Sequence, residues 1–157
     1  GSGLNLGLSL QEAHARQLSI CYTALEPFPP EASELVLIQK DQDWAQSLPQ
    51  PLYLKSGEWR KAPLLEFCWL QKSLTEWDRE GPFDLIYFDA FAPEKQAELW
   101  TEEVFRTLYE RANPGAVWVS YCAKGAVKRA LKAAAWHIEA LPGPPGKREM
   151  TRAIKPA

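Results

Sequence analysis

Two short apolar runs closed by polar residues, Asp84 to Asp89 (DLIYFD) and Ala116 to Tyr121 (AVWVSY), most constrain what this chain can fold into. Each reads as a buried strand. Between them lies a helical stretch, Glu98 to Ala112, with Leu99, Val104, Leu108 and Ala112 on one side. Strand–helix–strand order of this kind implies an α/β fold, a mostly parallel sheet with helices on both faces. Asn113-Pro114-Gly115 supplies a turn signal before the second strand.

The remaining elements follow the same alternation. Leu4, Leu6, Leu8 and Leu10 lead into a helix at Gln11 to Gln17, and Leu18 to Glu26 is a further strand. Pro27, Pro29 and Pro30 stop it, and Glu31 to Gln39 reads as a short helix beginning just after them. Residues 41–63 are the least regular stretch, where Leu52 to Lys55 and Leu64 to Leu70 could pair as a hairpin across Gly57. Lys124 to Ala135 is a basic, alanine-rich helix. Trp136 to Leu141 and Glu149 to Ile154 are final strands around a PGPPGK loop, one of them an antiparallel edge member.

A length of 157 residues suits one domain over 1–157, and 46% hydrophobic residues with seven tryptophans exclude general disorder. No apolar run approaches the ~18 residues of a membrane span, and no signal peptide precedes the first helix. Three widely spaced cysteines, Cys21, Cys68 and Cys122, argue against a disulfide framework and against a clustered metal site. The expectation is therefore a reducing cytoplasm, no metal and no membrane. A net charge of −2 hides an asymmetry: residues 1–112 hold 10 basic and 18 acidic side chains, residues 113–157 hold 8 and 2. The positive third could face phosphates, or it could be an ordinary solvated helix face and tail.

Two places could carry chemistry. Gly1-Ser2-Gly3 before a helix is half of a phosphate- or nucleotide-binding turn, a weak signal alone that a cloning remnant would also give. Glu26 stands 23 residues after Gly3, near the ~20-residue offset at which an acid accepts from ribose hydroxyls. It could equally be a solvated strand end. Asp89-Ala90-Phe91-Ala92-Pro93 is the sharper constellation: a strand-end acceptor for a substrate N–H, a flat ring to stack on, and a proline to stiffen the loop. The plain alternative is that Asp89 caps the following turn. Tyr121 and Cys122 end a strand at the same edge, while His14 and His137 read as surface residues and the tryptophans as core.

FDAFAPEKQAELWTEEVF, NPGAVWVSYCAKGAVKRALKAA and LPGPPGKREM together resemble the methyltransferase domain of the bacterial tRNA wobble-uridine modification system. That domain occurs fused to a flavin-dependent oxidoreductase or alone, and the stand-alone form looks closer because nothing here resembles the oxidoreductase half. The resemblance runs from Gly1 to about Arg152, densest from Phe83 to Met150. It implies a Rossmann-like class I methyltransferase sheet whose first strand would precede Gly1. It also implies S-adenosyl-L-methionine as cofactor, a tRNA anticodon stem-loop as partner, and an oxidoreductase acting in the same pathway.

The implied reaction is N-methylation of the aminomethyl group of 5-aminomethyl-2-thiouridine at the wobble position. Asp89 would hold the amine, with Phe91 beside the base and Pro93 fixing the loop. Gly1, Gly3, Asn5, Glu26 and Asp89 would meet the cofactor, and Lys124, Lys147 and Arg148 the RNA. Lys128 and Lys132 read as solubilising residues. Two other readings compete: a truncated, catalytically silent domain that only binds RNA or a partner, and a dinucleotide-dependent oxidoreductase. The second expects a third glycine where Leu6 stands.

Overall fold

The computed structural model describes residues 2–48, 55–78, 81–143, 146 and 149–157. The chain divides into two compact units, Gly1–Trp77 and Asp78–Ala157.

The first unit contains α1 (Leu4–Arg16), β1 (Ile20–Leu25), α2 (Ala32–Gln39), a 3₁₀ turn at Asp43–Ser47, β2 (Arg60–Ala62) and β3 (Leu65–Leu70). Its sheet has the order β1-β3-β2, with β1 and β3 parallel from Ile20↔Leu65 to Leu25↔Leu70 and β2 antiparallel to β3. The alternating leucines belong to α1, which begins at Leu4 rather than Gln11. Leu6, Leu10 and Ala13, spaced four and three apart, are buried, while Leu4 and Leu8 face solvent. Leu6 and Leu10 join Leu35, Leu48, Leu65, Phe67 and Trp69 in this unit's core. Glu31 opens α2 with a capping box to Glu34.

The hairpin partner of β3 is Arg60–Ala62, not Leu52 to Lys55; residues 52–54 lie outside the described residues. Ala62 pairs with Leu65, so the turn is the two residues Pro63-Leu64, and Leu64 takes φ 60°. Proline followed by a left-handed residue is type II turn chemistry, which closes this hairpin without Gly57.

Gly7 sits where α1 crosses the 3₁₀ turn. A Cβ there would stand 2.6 Å from the Trp44 carbonyl oxygen and 2.8 Å from its ring. Alanine is the better helix former by about 1 kcal/mol. Overpacking costs about 1–3 kcal/mol, and here the obstacle includes backbone. Gly7→Ala is therefore expected to lower the stability of the chain, read as a lower denaturant midpoint; a raised midpoint would show that the turn yields freely.

The second unit contains β4 (Phe83–Tyr87), α3 (Glu102–Glu110), β5 (Ala112–Ser120), α4 (Gly125–Ala133), β6 (His137–Pro142) and β7 (Glu149–Ile154). Its sheet has the order β4-β5-β7-β6, with β4 parallel to β5 and β7 antiparallel to both β5 and β6. The expected antiparallel closing pair is present, and β7 lies inside the sheet with β6 at the edge.

Three expectations for this unit need correction. The helix is shorter than Glu98 to Ala112. Ala97–Leu99 is a 3₁₀ turn, and α3 starts where the Thr101 hydroxyl accepts from the Val104 N–H, with Glu102 and Glu103 favouring its N-terminus. Asn113-Pro114-Gly115 does not precede β5 but lies within it: the register jumps from Phe83↔Ala112 to Leu85↔Val117, and Gly115 takes φ +80°. Gly115 N–H still finds the Lys155 carbonyl at 2.9 Å, so the irregular residues are held rather than expelled. Finally, β4 is not an interior strand. It pairs with β5 alone among the described residues, and Leu85 and Tyr87 are 46% and 38% exposed.

Among the described residues no helix is long and apolar enough to cross a membrane.

Candidate active site

Phe88 follows β4 and turns inward, 6% exposed, with its N–H on the Val119 carbonyl at 2.9 Å. Its ring meets Trp100 (5.0 Å), Phe105 (5.6 Å) and Trp118 (5.4 Å) between centroids. The next residue, Asp89, is exposed. No hydrogen-bond donor among the described residues engages its carboxylate, so it does not cap the turn that follows. An acidic group at a parallel strand's C-terminal end, open to solvent and anchored by a buried neighbour, is an acceptor available to a ligand.

The loop behind it is fixed. Tyr121 Oη donates to the Ala90 carbonyl at 3.0 Å, and Trp100 Nε1 donates to the Phe91 carbonyl at 2.8 Å. The Phe91 N–H donates to Gln96 Oε1 at 3.1 Å. The Ala92 carbonyl accepts from both Lys95 and Gln96. Pro93 is half-buried, whereas the Phe91 ring is 69% exposed. Burial pushes the Tyr121 phenol up, and the Cys122 thiol and the Asp89 carboxylate add to the shift. The hydroxyl thus stays a donor. Gln96 and Trp100 were not singled out by the sequence, although a buried indole N–H usually finds an acceptor. Cys122 is buried, its N–H on Ser120 Oγ and its carbonyl on the Thr151 hydroxyl, so it serves structure here.

Lys124, the N-cap residue of α4, pairs with Glu94 and so stands beside the same loop. Much of the basic C-terminal third is engaged internally: Lys128 with Glu149 at 2.8 Å, Arg152 with Glu139, and Lys155 Nζ with the carbonyls of Tyr109 and Ala112, both at 2.9 Å. Lys147 and Arg148 lie outside the described residues, as does Gly1. His14 and His137 are exposed.

The first unit holds the other predicted positions. Gly3 is the N-cap of α1 at φ 88°, a left-handed conformation that favours glycine. The Ser2 hydroxyl accepts from the Leu4 N–H at 3.4 Å and the first turn carries no acid, so the positive end of a 13-residue helix suits an anionic group. Asn5 lies in that first turn, half-buried, and its carbonyl accepts from Ser9 Oγ. Glu26 directly follows β1; its N–H meets the Leu70 carbonyl at 3.0 Å and its Oε1 accepts from the Phe28 N–H at 3.2 Å. Glu26 and Gln71 thus close parallel neighbours β1 and β3 at the carboxyl edge, where α/β sheets bind ligands. The arrangement brings Asp89, Phe91, Pro93 and Lys124 to one loop of the second unit. Gly3, Asn5 and Glu26 belong to the first.

Comparison with known proteins sharpens these observations. Residues 38–156 match the family described as S-adenosyl-L-methionine-dependent methyltransferase. A protein of Cupriavidus metallidurans, named tRNA 5-methylaminomethyl-2-thiouridine biosynthesis bifunctional protein MnmC, is 44% identical over 68 residues, 43% of this chain and 10% of that protein. The MnmC of Pseudoalteromonas atlantica is 31% identical over 179 aligned residues, 98% of this chain and 25% of that protein. The chain therefore spans a quarter or less of the length of these curated relatives.

Among solved structures, MnmC2 from Aquifex aeolicus superposes with a TM-score of 0.71 at 19% identity, covering 100% of this chain and 52% of that one. A methyltransferase from Pyrococcus furiosus gives 0.59 at 13% identity, covering 96% and 69%. These likenesses establish the Rossmann-like class I methyltransferase fold, and the family match covers most of the chain. The chain belongs to the S-adenosyl-L-methionine-dependent methyltransferases.

Proposed function

We propose that this chain, as one methyltransferase-like domain over 1–157, methylates the aminomethyl nitrogen of 5-aminomethyl-2-thiouridine at the wobble position of tRNA. The observation that supports this reading is the anchored loop after β4. It offers an exposed carboxylate at Asp89 and an exposed ring at Phe91 on a backbone held by three side chains. The relatives' names, which specify biosynthesis of a methylaminomethyl-thiouridine in tRNA, favour an amine as acceptor.

When bound, S-adenosyl-L-methionine supplies an electrophilic methyl group on a sulfonium. The residues present fit it: the N-terminus of α1 at Gly3 and Asn5 for the methionine carboxylate, and the Glu26 carboxylate as acceptor for ribose hydroxyls. Gly1 is assigned to the same role by proposal only.

Asp89 accepts an N–H of the substrate amine and orients its lone pair, which matters because the amine must be uncharged and in line to react. Phe91 offers an apolar face to the unstacked base, the way single-stranded RNA bases are held. Pro93 limits the loop's freedom. Lys124, Lys147 and Arg148 would meet the anticodon backbone, Lys124 exchanging Glu94 for phosphate. A flavin-dependent oxidoreductase of the same pathway is the proposed functional partner, and the cytoplasm the proposed location.

The test is methyl transfer from labelled S-adenosyl-L-methionine to tRNA bearing 5-aminomethyl-2-thiouridine, with tRNA lacking that group as the control. Label in the modified tRNA alone supports the reading. Transfer to neither, with no cofactor binding at millimolar concentration, favours the silent domain. On the donor side, Glu26→Ala should cost about 1.5–3 kcal/mol, a roughly tenfold or greater rise in the cofactor's dissociation constant by calorimetry. Unchanged affinity would remove Glu26 from the site.

A further inference from the structure

The Phe91 ring is 69% exposed, yet the peptide that carries it is pinned on both sides. Its N–H is taken by Gln96 Oε1 and its carbonyl by Trp100 Nε1, at 3.1 and 2.8 Å. Both partners are themselves held. The Gln96 N–H donates to the Ala92 carbonyl and the Gln96 carbonyl accepts from Leu99, while Trp100 is buried edge-on against Phe88 and Tyr121.

A large apolar ring left in solvent by a backbone this constrained is costly for a loop that only connects β4 to α3. It makes sense as a surface ordered before its ligand arrives, because ordering then costs nothing at the moment of binding. We propose that Gln96 and Trp100 are positioning residues for the acceptor. They clamp the Phe91 peptide so that the ring and Asp89, two residues upstream, meet the base and its amine in a fixed relation. This inference rests on the acceptor roles proposed above for Asp89 and Phe91. Neither clamp residue touches the reacting atoms.

The experiment uses the whole chain and three variants. Gln96→Ala removes the acceptor for the Phe91 N–H. Gln96→Glu keeps an oxygen there. Trp100→Phe keeps a buried ring and deletes the indole donor. Gln96→Ala and Trp100→Phe are each expected to lower kcat/KM for aminomethyl-uridine tRNA about tenfold, the effect of one lost hydrogen bond. The dissociation constant for S-adenosyl-L-methionine should not change. Gln96→Glu should return kcat/KM to near the wild-type value. In the protein alone, hydrogen exchange at the Phe91 amide should speed up in Gln96→Ala and recover in Gln96→Glu.

A purely structural role would lower thermal stability and affect both substrates alike, without rescue by glutamate. Wild-type transfer with an unaltered Gln96→Ala, or an unaltered Phe91 exchange rate, would overturn the clamp and leave the acceptor reading standing. No transfer by the wild-type chain would remove that reading, and the positioning role with it.

Discussion

Replacing Asp89 by asparagine is expected to lower turnover on aminomethyl-uridine tRNA by about 10²-fold or more, the low end for losing a positioned proton acceptor. The affinity for S-adenosyl-L-methionine should change little. The substitution is clean because no donor among the described residues engages the Asp89 carboxylate, so no internal hydrogen bond is broken. Asparagine keeps the shape and one oxygen acceptor but loses the charge. If Asp89 only orients an uncharged amine, the loss persists at every pH.

If Asp89 also draws off a proton, raising the pH partly restores the rate, because the amine then loses its proton to solvent. The loop does not confuse this readout. Burial pushes the Tyr121 phenol above its ordinary value of 10.0, with smaller contributions from Cys122 and Asp89, so its bond to Ala90 persists below that pH and is lost only as the pH rises through the raised value. A variant with wild-type turnover, or one that loses cofactor binding equally, would make Asp89 structural and place the amine elsewhere.

The parts of this architecture that could be read from the chain are those whose cause is local. Glu149–Ile154 emerges with the ends expected, a short segment after a proline-glycine loop that buries the alternate residues Thr151 and Ala153. Asp89 to Pro93 was legible because acceptor, ring and proline fall within five consecutive residues. What escaped depends on neighbours distant in sequence. The alternation Leu4, Leu6, Leu8, Leu10 has no helical period, and it is packing of Leu6 and Leu10 with Trp44, Leu65 and Phe67 that selects the helical face and starts α1 at Leu4. Asn113-Pro114-Gly115 carries every turn signal, yet the Lys155 carbonyl gives its backbone a partner inside the strand. DLIYFD has the composition of an interior strand, but burial is decided by what lies alongside, and here only β5 does among the described residues. The clamp on the loop comes from residues 5, 9 and 31 positions away from the groups they bind.

Phe88→Ala is expected to cost about 3–5 kcal/mol of stability, the range for deleting a buried aromatic ring. The ring ties the end of β4 to three aromatic partners at once, Trp100, Phe105 and Trp118, the last two fully buried. Those partners cannot collapse far into the void: Phe105 and Trp118 already contact each other at 5.6 Å, and the Phe105 carbonyl accepts from the Trp136 indole at 3.0 Å. The strand has little else in reserve, since its backbone bonds run to β5 alone among the described residues. Phe88→Leu, which keeps most of the apolar volume, should lose markedly less. Denaturation followed by tryptophan fluorescence reads both variants, because Trp100 and Trp118 border the altered position. The same ring also sets where Asp89 emerges, so turnover should fall in Phe88→Ala even under conditions where the chain stays folded, whereas Asp89→Asn should leave the denaturation midpoint in place. A loss below about 1 kcal/mol in Phe88→Ala would mean that the loop, through Tyr121, Gln96 and Trp100, holds the strand rather than the strand holding the loop.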